Sequence, residues 1–460
     1  MRPNQGRPSG NSSLANSSHP WRVILAYGLP GLPLAMLTLP VYIIIPTLYS
    51  QLGLGLAAIG TMLLAIRLID AVSDPLIGIL SDRISSPRGR RKPWLVLSMP
   101  VTALAGFQLF VPPGDVAVTY LVAWGLVLTF SWTAALIPYS AWAAELSGDY
   151  DERTRITAVR ESFVLIGTLL ATGLPALLTV FAFADLRQHA FAIAVCIVVL
   201  LPISVAIAAW QVPDPAPKRA SRLGFGPGYR VLKENQAFRK LILAYLINAT
   251  ANGLPATLFI LFVSFVLEMP ESYGPLLFVY FLCGLAGIPI WARLAEKLGK
   301  HRAWSVAMLL ACSAFVWTPF IVGAGDYWTF LIITVVSGFA VGADLAIPSS
   351  IQADVIDIDT AQTGIPRTGL YFALWGLATK GALALAVGMA FPLLELSGFD
   401  ATPGTVGNSD RTLFSLALLY AFVPVLLKLV AIALMWNFQV DKETQRGLQR
   451  QIADRTAPNA

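Results

Sequence analysis

Long apolar runs recur along the whole 460-residue chain and restrict the folds that it can adopt. The hydrocarbon core of a bilayer is roughly 30 Å thick, so an α-helix needs about 20 mainly apolar residues to cross it. Because 56% of the residues are hydrophobic and only 13% are charged, an ordinary soluble domain is excluded. Twelve runs are long enough, at 22–48, 54–82, 93–111, 117–145, 157–183, 189–211, 237–267, 275–296, 304–323, 327–353, 367–396 and 412–437. The sequence therefore predicts an all-α membrane protein with twelve transmembrane helices.

Lysine and arginine residues alternate between the loops that join these runs. Cytoplasmic loops of membrane proteins carry an excess of these residues. One set of loops has basic clusters at 83–92, 153–155, 218–233 and 297–302, whereas the opposite loops carry almost only Arg187 and Arg411. We therefore expect both termini in the cytoplasm and the chain in the cell (inner) membrane. The net charge of +6 indicates this topology rather than nucleic-acid binding.

A proline-rich basic segment separates six runs from six. We predict a disordered cytoplasmic tail at 1–20, an N-terminal six-helix bundle at 21–211, a cytoplasmic linker at 212–236, a C-terminal six-helix bundle at 237–438 and a cytoplasmic tail at 439–460. A short motif supports two related halves. A small residue precedes an acid–base pair by four positions both at Gly78 with Asp82 and Arg83 and, 214 residues later, at Ala292 with Glu296 and Lys297.

Charged residues inside the apolar runs indicate a functional site. Arg67, Asp70 and Asp74 lie within the second run, and their spacing puts them on one face of a helix. A charge at mid-bilayer costs roughly 2.5 to 3.5 kcal/mol on insertion scales, so such residues are usually paired and functional. Lys380 is near the middle of the eleventh run, and we expect it to face Asp70 or Asp74. A lysine that competes with a cation for these carboxylates is a plausible coupling element.

The duplicated loop motif resembles the signature of the major facilitator superfamily. Four stretches are also similar to the glycoside-pentoside-hexuronide:cation symporters, the melibiose permease-like family: 67–75, Lys92-Pro93-Trp94, Ile137-Pro138-Tyr139, and 353–357 with 379–381. The resemblance covers the whole chain. It implies twelve helices in two pseudo-symmetric six-helix bundles and cation-coupled transport by alternating access.

The resemblance also implies roles for individual residues. It implies a cation site at Asp70, Ser73, Asp74 and Thr133, and it leaves Na⁺ and H⁺ open because burial and charge crowding also favour a protonated carboxyl group. It also implies that Arg160 and Lys380 line the solute cavity. From their residue types and their positions in the apolar runs, we further expect Tyr139, Trp142, Asn248, Asn252, Asp344 and Trp375 to contact the solute. The residues expected to couple or gate are Arg67, Asp82, Arg83, Arg90, Glu296, Lys297 and Lys380. An interfacial role for Arg160 stays open, as does local pairing or snorkelling of Lys428.

The solute is the less determined part of the prediction. Members of the resembled family hold sugar hydroxyls with acids on helices one and four, but here those places fall near Leu29 and at Leu136. A sugar or glycoside is the first expectation, and a lysolipid or other less hydroxylated solute is the alternative. A non-transporting assembly or sensor protein of the same fold is an alternative of another class.

Catalysis is not indicated by the sequence. We find no phosphate-binding glycine loop, metal cluster or nucleophile constellation, so we expect no enzyme activity, no cofactor and no metal beyond the coupling cation. The expected partners are a small-molecule solute, a monovalent cation and the lipid bilayer, without nucleic acid. We expect a monomer.

Overall fold

Long helices make up nearly all of the structure, a computed structural model. It describes residues 19–54, 66, 69, 73–84, 86, 89–114, 116–180, 186–214, 235–364, 367–399 and 408–456. The N-terminal half contains α1 (Trp21–Gly28), α2 (Gly31–Gln51), α3 (73–83), α4 (Lys92–Phe110), α5 (Val118–Leu146), α6 (Tyr150–Val180) and α7 (Leu186–Gln211). The C-terminal half contains α8 (Gln236–Leu261), α9 (Tyr273–Leu298), α10 (Lys300–Phe315), α11 (Tyr327–Thr363), α12 (Thr368–Leu396), α13 (Asp410–Ala417), α14 (Val423–Met435) and α15 (Lys442–Thr456). Short helical turns extend α8 at Phe262–Val266 and α10 at Thr318–Ile321, and another joins α13 to α14 at Leu418–Phe422.

Local signals explain several of the helix ends. The side chain of Asn235 accepts a hydrogen bond from the Phe238 backbone N–H at 2.9 Å and so caps the start of α8. Pro93 lies in the first turn of α4, where a missing N–H costs nothing. Gly299 has φ +87°, a conformation that side chains disfavour, and it alone separates α9 from α10. Local sequence therefore sets these three helix boundaries.

The predicted fold class is confirmed, with differences at individual helices. Within the described residues, eleven helices are long and apolar enough to cross a membrane. Most of the predicted second span, 54–82, lies outside the described residues, and its continuous described helix begins at residue 73. The fifth helix begins at Tyr150 rather than 157, and the tenth continues to Thr363 rather than ending at 353, because polar contacts described below hold these extra turns. The predicted tail at 439–460 folds in large part into α15.

Each half forms most of its contacts within itself. In the N-terminal half α4 packs on α5 and α7, and α2 packs on α6. In the C-terminal half α11 packs on α9 and α10, and α8 packs on α12 and α14. The halves meet where α6 contacts α9 and α11, and where α5 contacts α12. Small buried residues, including Ala158, Ala292 and Ala346, let these helices approach one another.

The outward faces of the helices are apolar. Leu97, Trp210 and Trp328 are 72%, 84% and 75% exposed, and each belongs to a helix of spanning length. Apolar surface of this extent is expected where lipid is the solvent. The chain is a multi-pass membrane protein whose polar chemistry lies between the helices and at their ends.

Candidate functional site

A cavity of about 380 Å³ lies between the two halves. Helices α2, α3, α5 and α6 line it from the N-terminal half, and α11 and α12 line it from the C-terminal half. Its charged residues are Asp74, Arg160, Glu161 and Lys380. The volume is within the range of pockets that hold small organic ligands, roughly 300 to 1,000 Å³.

Asp74 and Lys380 join the two halves inside this cavity. The Lys380 Nζ donates a hydrogen bond to Asp74 Oδ2 at 2.6 Å. The aspartate side chain is 5% exposed, whereas the lysine side chain is 26% exposed and therefore in part solvated. Gly376, one turn before Lys380, also lies against this carboxylate, since a Cβ there would be in van der Waals contact with Asp74 Oδ2 at 3.4 Å. Asp74 is thus the carboxylate that Lys380 faces.

Arg160 lines the same cavity from a position more than two turns into α6. Its Nε and Nη2 donate to Glu161 Oε1 at 3.0 and 2.5 Å, while its buried Nη1 has no hydrogen-bond partner among the residues that the structure describes. Tyr139 also lines the cavity, but its hydroxyl donates to the Tyr27 carbonyl at 2.6 Å. Arg160 therefore offers a donor to a bound group, whereas Tyr139 contributes its ring.

The predicted cation ligands are described only in part. Thr133 lines the cavity beside Asp74, and Ser73 is buried next to it in sequence. Arg67 and Asp70 lie outside the described residues. Hydroxyl and carboxylate oxygens of this kind suit a hard cation.

Trp375 completes the aromatic part of the cavity. Its ring stacks on Tyr245 with centroids 3.8 Å apart, and the Tyr245 hydroxyl is 2.9 Å from the Thr379 hydroxyl. Trp142 does not line the cavity, because its indole N–H donates to the Pro213 carbonyl at 3.0 Å. Of the aromatic side chains predicted to contact the solute, Tyr139 and Trp375 are therefore in position, and Trp142 is not.

Three other predicted solute ligands form a separate cluster within the C-terminal half. Asp344 accepts hydrogen bonds from Asn252 Nδ2 at 2.9 Å and from Asn248 Nδ2 at 3.1 Å. Lys428 lies 3.2 Å from the same carboxylate, so it pairs with Asp344 rather than snorkelling. None of these four residues lines the central cavity. Asn248 and Asn252 of α8 thus face α11 and α14, an orientation that the sequence does not determine.

Asp82 joins the two halves at the basic end of the bundle. We call this end the linker end, because Asp214 of the linker contacts Arg91 and Lys92 there. Asp82 Oδ1 accepts from the Gly369 N–H at 2.9 Å and Asp82 Oδ2 from the Leu370 N–H at 3.0 Å, both in the first turn of α12. Arg90 and Arg91 donate to Oδ1 at 2.8 and 2.7 Å. A negative charge at a helix N-terminus is stabilising, so Asp82 holds α3 to α12.

Glycine makes this approach of α3 to α12 possible. A Cβ on Gly369 would lie 2.6 Å from the Gly78 carbonyl oxygen, which is too close for any side chain. Asp214 adds the linker to the same end by accepting the backbone N–H groups of Arg91 and Lys92 at 3.1 and 3.0 Å. Burial raises the pKa of the Asp214 carboxyl group.

Arg153 makes a second closing contact at the linker end. Its Nη1 donates to Asp354 at 3.1 Å and to Asp357 at 2.5 Å, joining α6 to α11. Lys300 Nζ donates to the other oxygen of Asp354 at 2.5 Å. Of the predicted gating residues, Glu296 accepts a hydrogen bond from Arg155 Nε at 2.7 Å, Lys297 is exposed, and Arg83 is half-buried at the end of α3.

Helix α15 covers these contacts from outside. Gln445 donates to the Gly148 carbonyl at 2.6 Å, Gln449 donates to Asp357 at 2.7 Å, and Lys442 pairs with Asp151. Hydrogen bonds from the Thr444 N–H and hydroxyl start this helix and lower the pKa of Asp441. The helix thus bridges both halves.

Sequence reasoning missed several of these residues. It treated Arg153 only as a loop charge and assigned no role to Glu161, Tyr245 or Asp354. One signal was available for Asp354, because it and Asp357 are three residues apart at the end of an apolar run and need basic partners. Those partners come from the other half, which local spacing cannot indicate.

The profile of the family described as MFS/sugar transport protein matches residues 26–442. The chain belongs to this family. The resemblance stated from the sequence is therefore confirmed, and the family is one of transporters within the major facilitator superfamily.

Individual family relatives and solved structures agree with this assignment. The human sodium-dependent lysophosphatidylcholine symporter 1 is 26% identical over 86% of this chain and 79% of its own length. An uncharacterized symporter of Bacillus subtilis, YnaJ, is 24% identical over 88% of both chains. The crystal structure of the E. coli fucose:proton symporter FucP superposes with a TM-score of 0.64 at 14% identity, over 90% of this chain and 99% of that one. That likeness shows that this family member has the major facilitator fold.

Proposed function

We propose that the protein is a secondary active symporter that couples sodium entry to uptake of an amphiphilic organic solute by alternating access. The observation that carries the proposal is the Asp74–Lys380 pair, whose partners belong to different halves and both line the cavity. A cation that replaces Lys380 at Asp74 breaks a contact between the halves. Ion occupancy and conformation are then linked.

Sodium is favoured over a proton by the ligand chemistry. Asp74 follows Ser73 in the sequence and shares the cavity with Thr133, and a proton needs no such set of oxygens. The human relative is sodium-dependent by name, which supports the same ion.

The lining of the cavity suits a solute with both polar and apolar parts. Its apolar residues include Leu34, Leu136 and Phe372, and its positively charged residues are Arg160 and Lys380. Leu136 stands where the sugar-transporting relatives implied by the resemblance have an acid. A lysophospholipid carries both kinds of group, and lysophosphatidylcholine symporters are among the relatives. A sugar is the second candidate, because the Trp375–Tyr245 stack offers a flat aromatic face and the family description includes sugar transport.

The linker end is the cytoplasmic end in this proposal, and the membrane is the cell inner membrane. The basic loops at this end support that orientation. His19 and α15 both contact the start of α6 there, so the two termini share one side. The bonds of Asp82 and Arg153 then correspond to a state closed towards the cytoplasm.

Uptake into proteoliposomes tests the proposal. Fluorescent lysophosphatidylcholine and radiolabelled melibiose are offered separately under an inward sodium gradient, an inward proton gradient or none, and entry of the lipid is scored as resistance to extraction by albumin. We expect sodium-driven lipid uptake that Asp74→Asn abolishes and Asp326→Asn, at an exposed loop carboxylate, preserves. Sodium-driven melibiose uptake alone would establish the sugar candidate instead. Uptake that ignores both gradients would refute symport and favour a non-transporting role or a uniporter.

A further inference from the structure

The buried pair of Asp344 and Lys428 is not used by the function proposed above. Lys428 Nζ lies 3.2 Å from Asp344 Oδ2, with side chains 8% and 9% exposed, and both residues belong to helices of spanning length. Burying two charges in a membrane span is costly, and a well-packed apolar pair is often as stable or more stable. The pair lies outside the central cavity, so contact with the solute does not explain it.

The groups around the Lys428 ammonium are those of a cation site. Its hydrogen-bond partners are oxygens, Asn248 Oδ1 at 2.8 Å and Asp344 Oδ2 at 3.2 Å. A cavity of about 30 Å³ adjoins them and is lined also by Asn252 and Ser337. Such a volume holds about one water molecule or a small ion. Carboxylate, carboxamide and hydroxyl oxygens are the ligands of hard cations.

Three side-chain donors hold the Asp344 carboxylate in one orientation. It accepts from Trp304 Nε1 at 2.6 Å, from Asn252 Nδ2 at 2.9 Å and from Asn248 Nδ2 at 3.1 Å. The position of this carboxylate therefore does not depend on Lys428 alone.

We propose that Asn248 and Asp344 form a monovalent-cation site that the chain fills with its own ammonium group, that of Lys428. Removing the ammonium exposes a site for sodium in the C-terminal half. The proposal concerns a cluster separate from Asp74, so it does not depend on the proposed transport.

Sodium binding to a Lys428→Met variant tests this. Purified full-length wild type and variant are compared for bound radioactive sodium by scintillation proximity, and for thermal unfolding in sodium chloride against choline chloride at equal ionic strength. We expect the variant to bind about one additional sodium ion and to gain more stability from sodium than the wild type gains, because a ligand stabilises the state that binds it. The double variant Lys428→Met/Asp344→Asn, whose cluster is neutral, should show neither gain.

Two results would overturn the proposal. The single variant binds no more sodium than the wild type, or it unfolds in sodium chloride while the neutral double variant stays folded. A wild type that binds no sodium at all counts against the sodium coupling proposed above, whereas the difference between variant and wild type still decides the present question.

Discussion

Replacing Lys380 by methionine tests whether its ammonium and a sodium ion compete for Asp74. Two opposite charges at the observed 2.6 Å attract by about 6 kcal/mol at an effective dielectric constant near 20, before the cost of desolvation is subtracted. The lysine side chain is 26% exposed, so solvent screens part of the attraction. We take the net stabilisation from this ion pair as about 1 to 2 kcal/mol, which is between the values for a surface pair and a buried pair. Loss of the competitor should then raise the apparent affinity for sodium about 5- to 30-fold.

The assay is a sodium titration of purified protein at constant ionic strength, with choline chloride as the replacement salt. The midpoint of thermal unfolding is followed at each concentration, since bound sodium stabilises the folded state. Lys380→Met should reach half of its stabilisation at the lower concentration, and Asp74→Asn should not respond. Lys240→Met is the matched control, because Lys240 Nζ donates to the Asn437 carbonyl at 3.3 Å, outside the cavity.

A Lys380→Met variant that saturates at the same sodium concentration as the wild type would refute the competition. So would an Asp74→Asn variant that keeps the full response. In proteoliposomes, Lys380→Met should bind sodium but lose gradient-driven uptake, because sodium no longer displaces a contact between the halves.

Three further predictions concern the contacts at the linker end and the cavity. Arg153→Ala removes this partner of Asp354 and Asp357, so it should lower the free energy of unfolding in a denaturation assay by about 3 to 5 kcal/mol. In the same assay Arg155→Ala, at a 43% exposed side chain, should lower it by no more than about 1 kcal/mol. Gly369→Val should force α12 away from α3. A cysteine introduced at the buried Ala373, in a background without the three native cysteines, should then react faster with a thiol label, and an unchanged labelling rate would contradict the close approach. Trp375→Ala should raise the KM for the transported solute several-fold while Trp142→Phe leaves it unchanged, and the opposite result in an uptake assay would refute the assigned cavity lining.

Features set by the bilayer were predictable from the sequence. The cost of burying backbone and charge in lipid determines which segments are apolar helices, which loops are basic and why Asp74 and Lys380 need partners. The family assignment and the fold class followed from these features and the loop motif, and both are confirmed.

Contacts between helices were harder to predict. The spacing of Asn248 and Asn252 indicates one helix face, but whether that face meets the cavity or α11 depends on how α8 is rotated in the bundle. The side of α5 on which Trp142 packs depends on helix rotation in the same way. The start of α6 and the end of α11 were misjudged because Arg153 and Asp357 extend the helices past the apolar runs, where hydropathy gives no signal.

The bond between Asp82 and the start of α12 has a consequence for measuring motion. The first backbone N–H groups of a helix have no acceptor within it, so the amides of Gly369 and Leu370 depend on the Asp82 carboxylate from the other half. Their hydrogen exchange should therefore be slow only while the linker end is closed. These two amide protons record, without any label, the fraction of time that this end spends open, and each added ion or solute should change their exchange rate in proportion to its effect on that equilibrium.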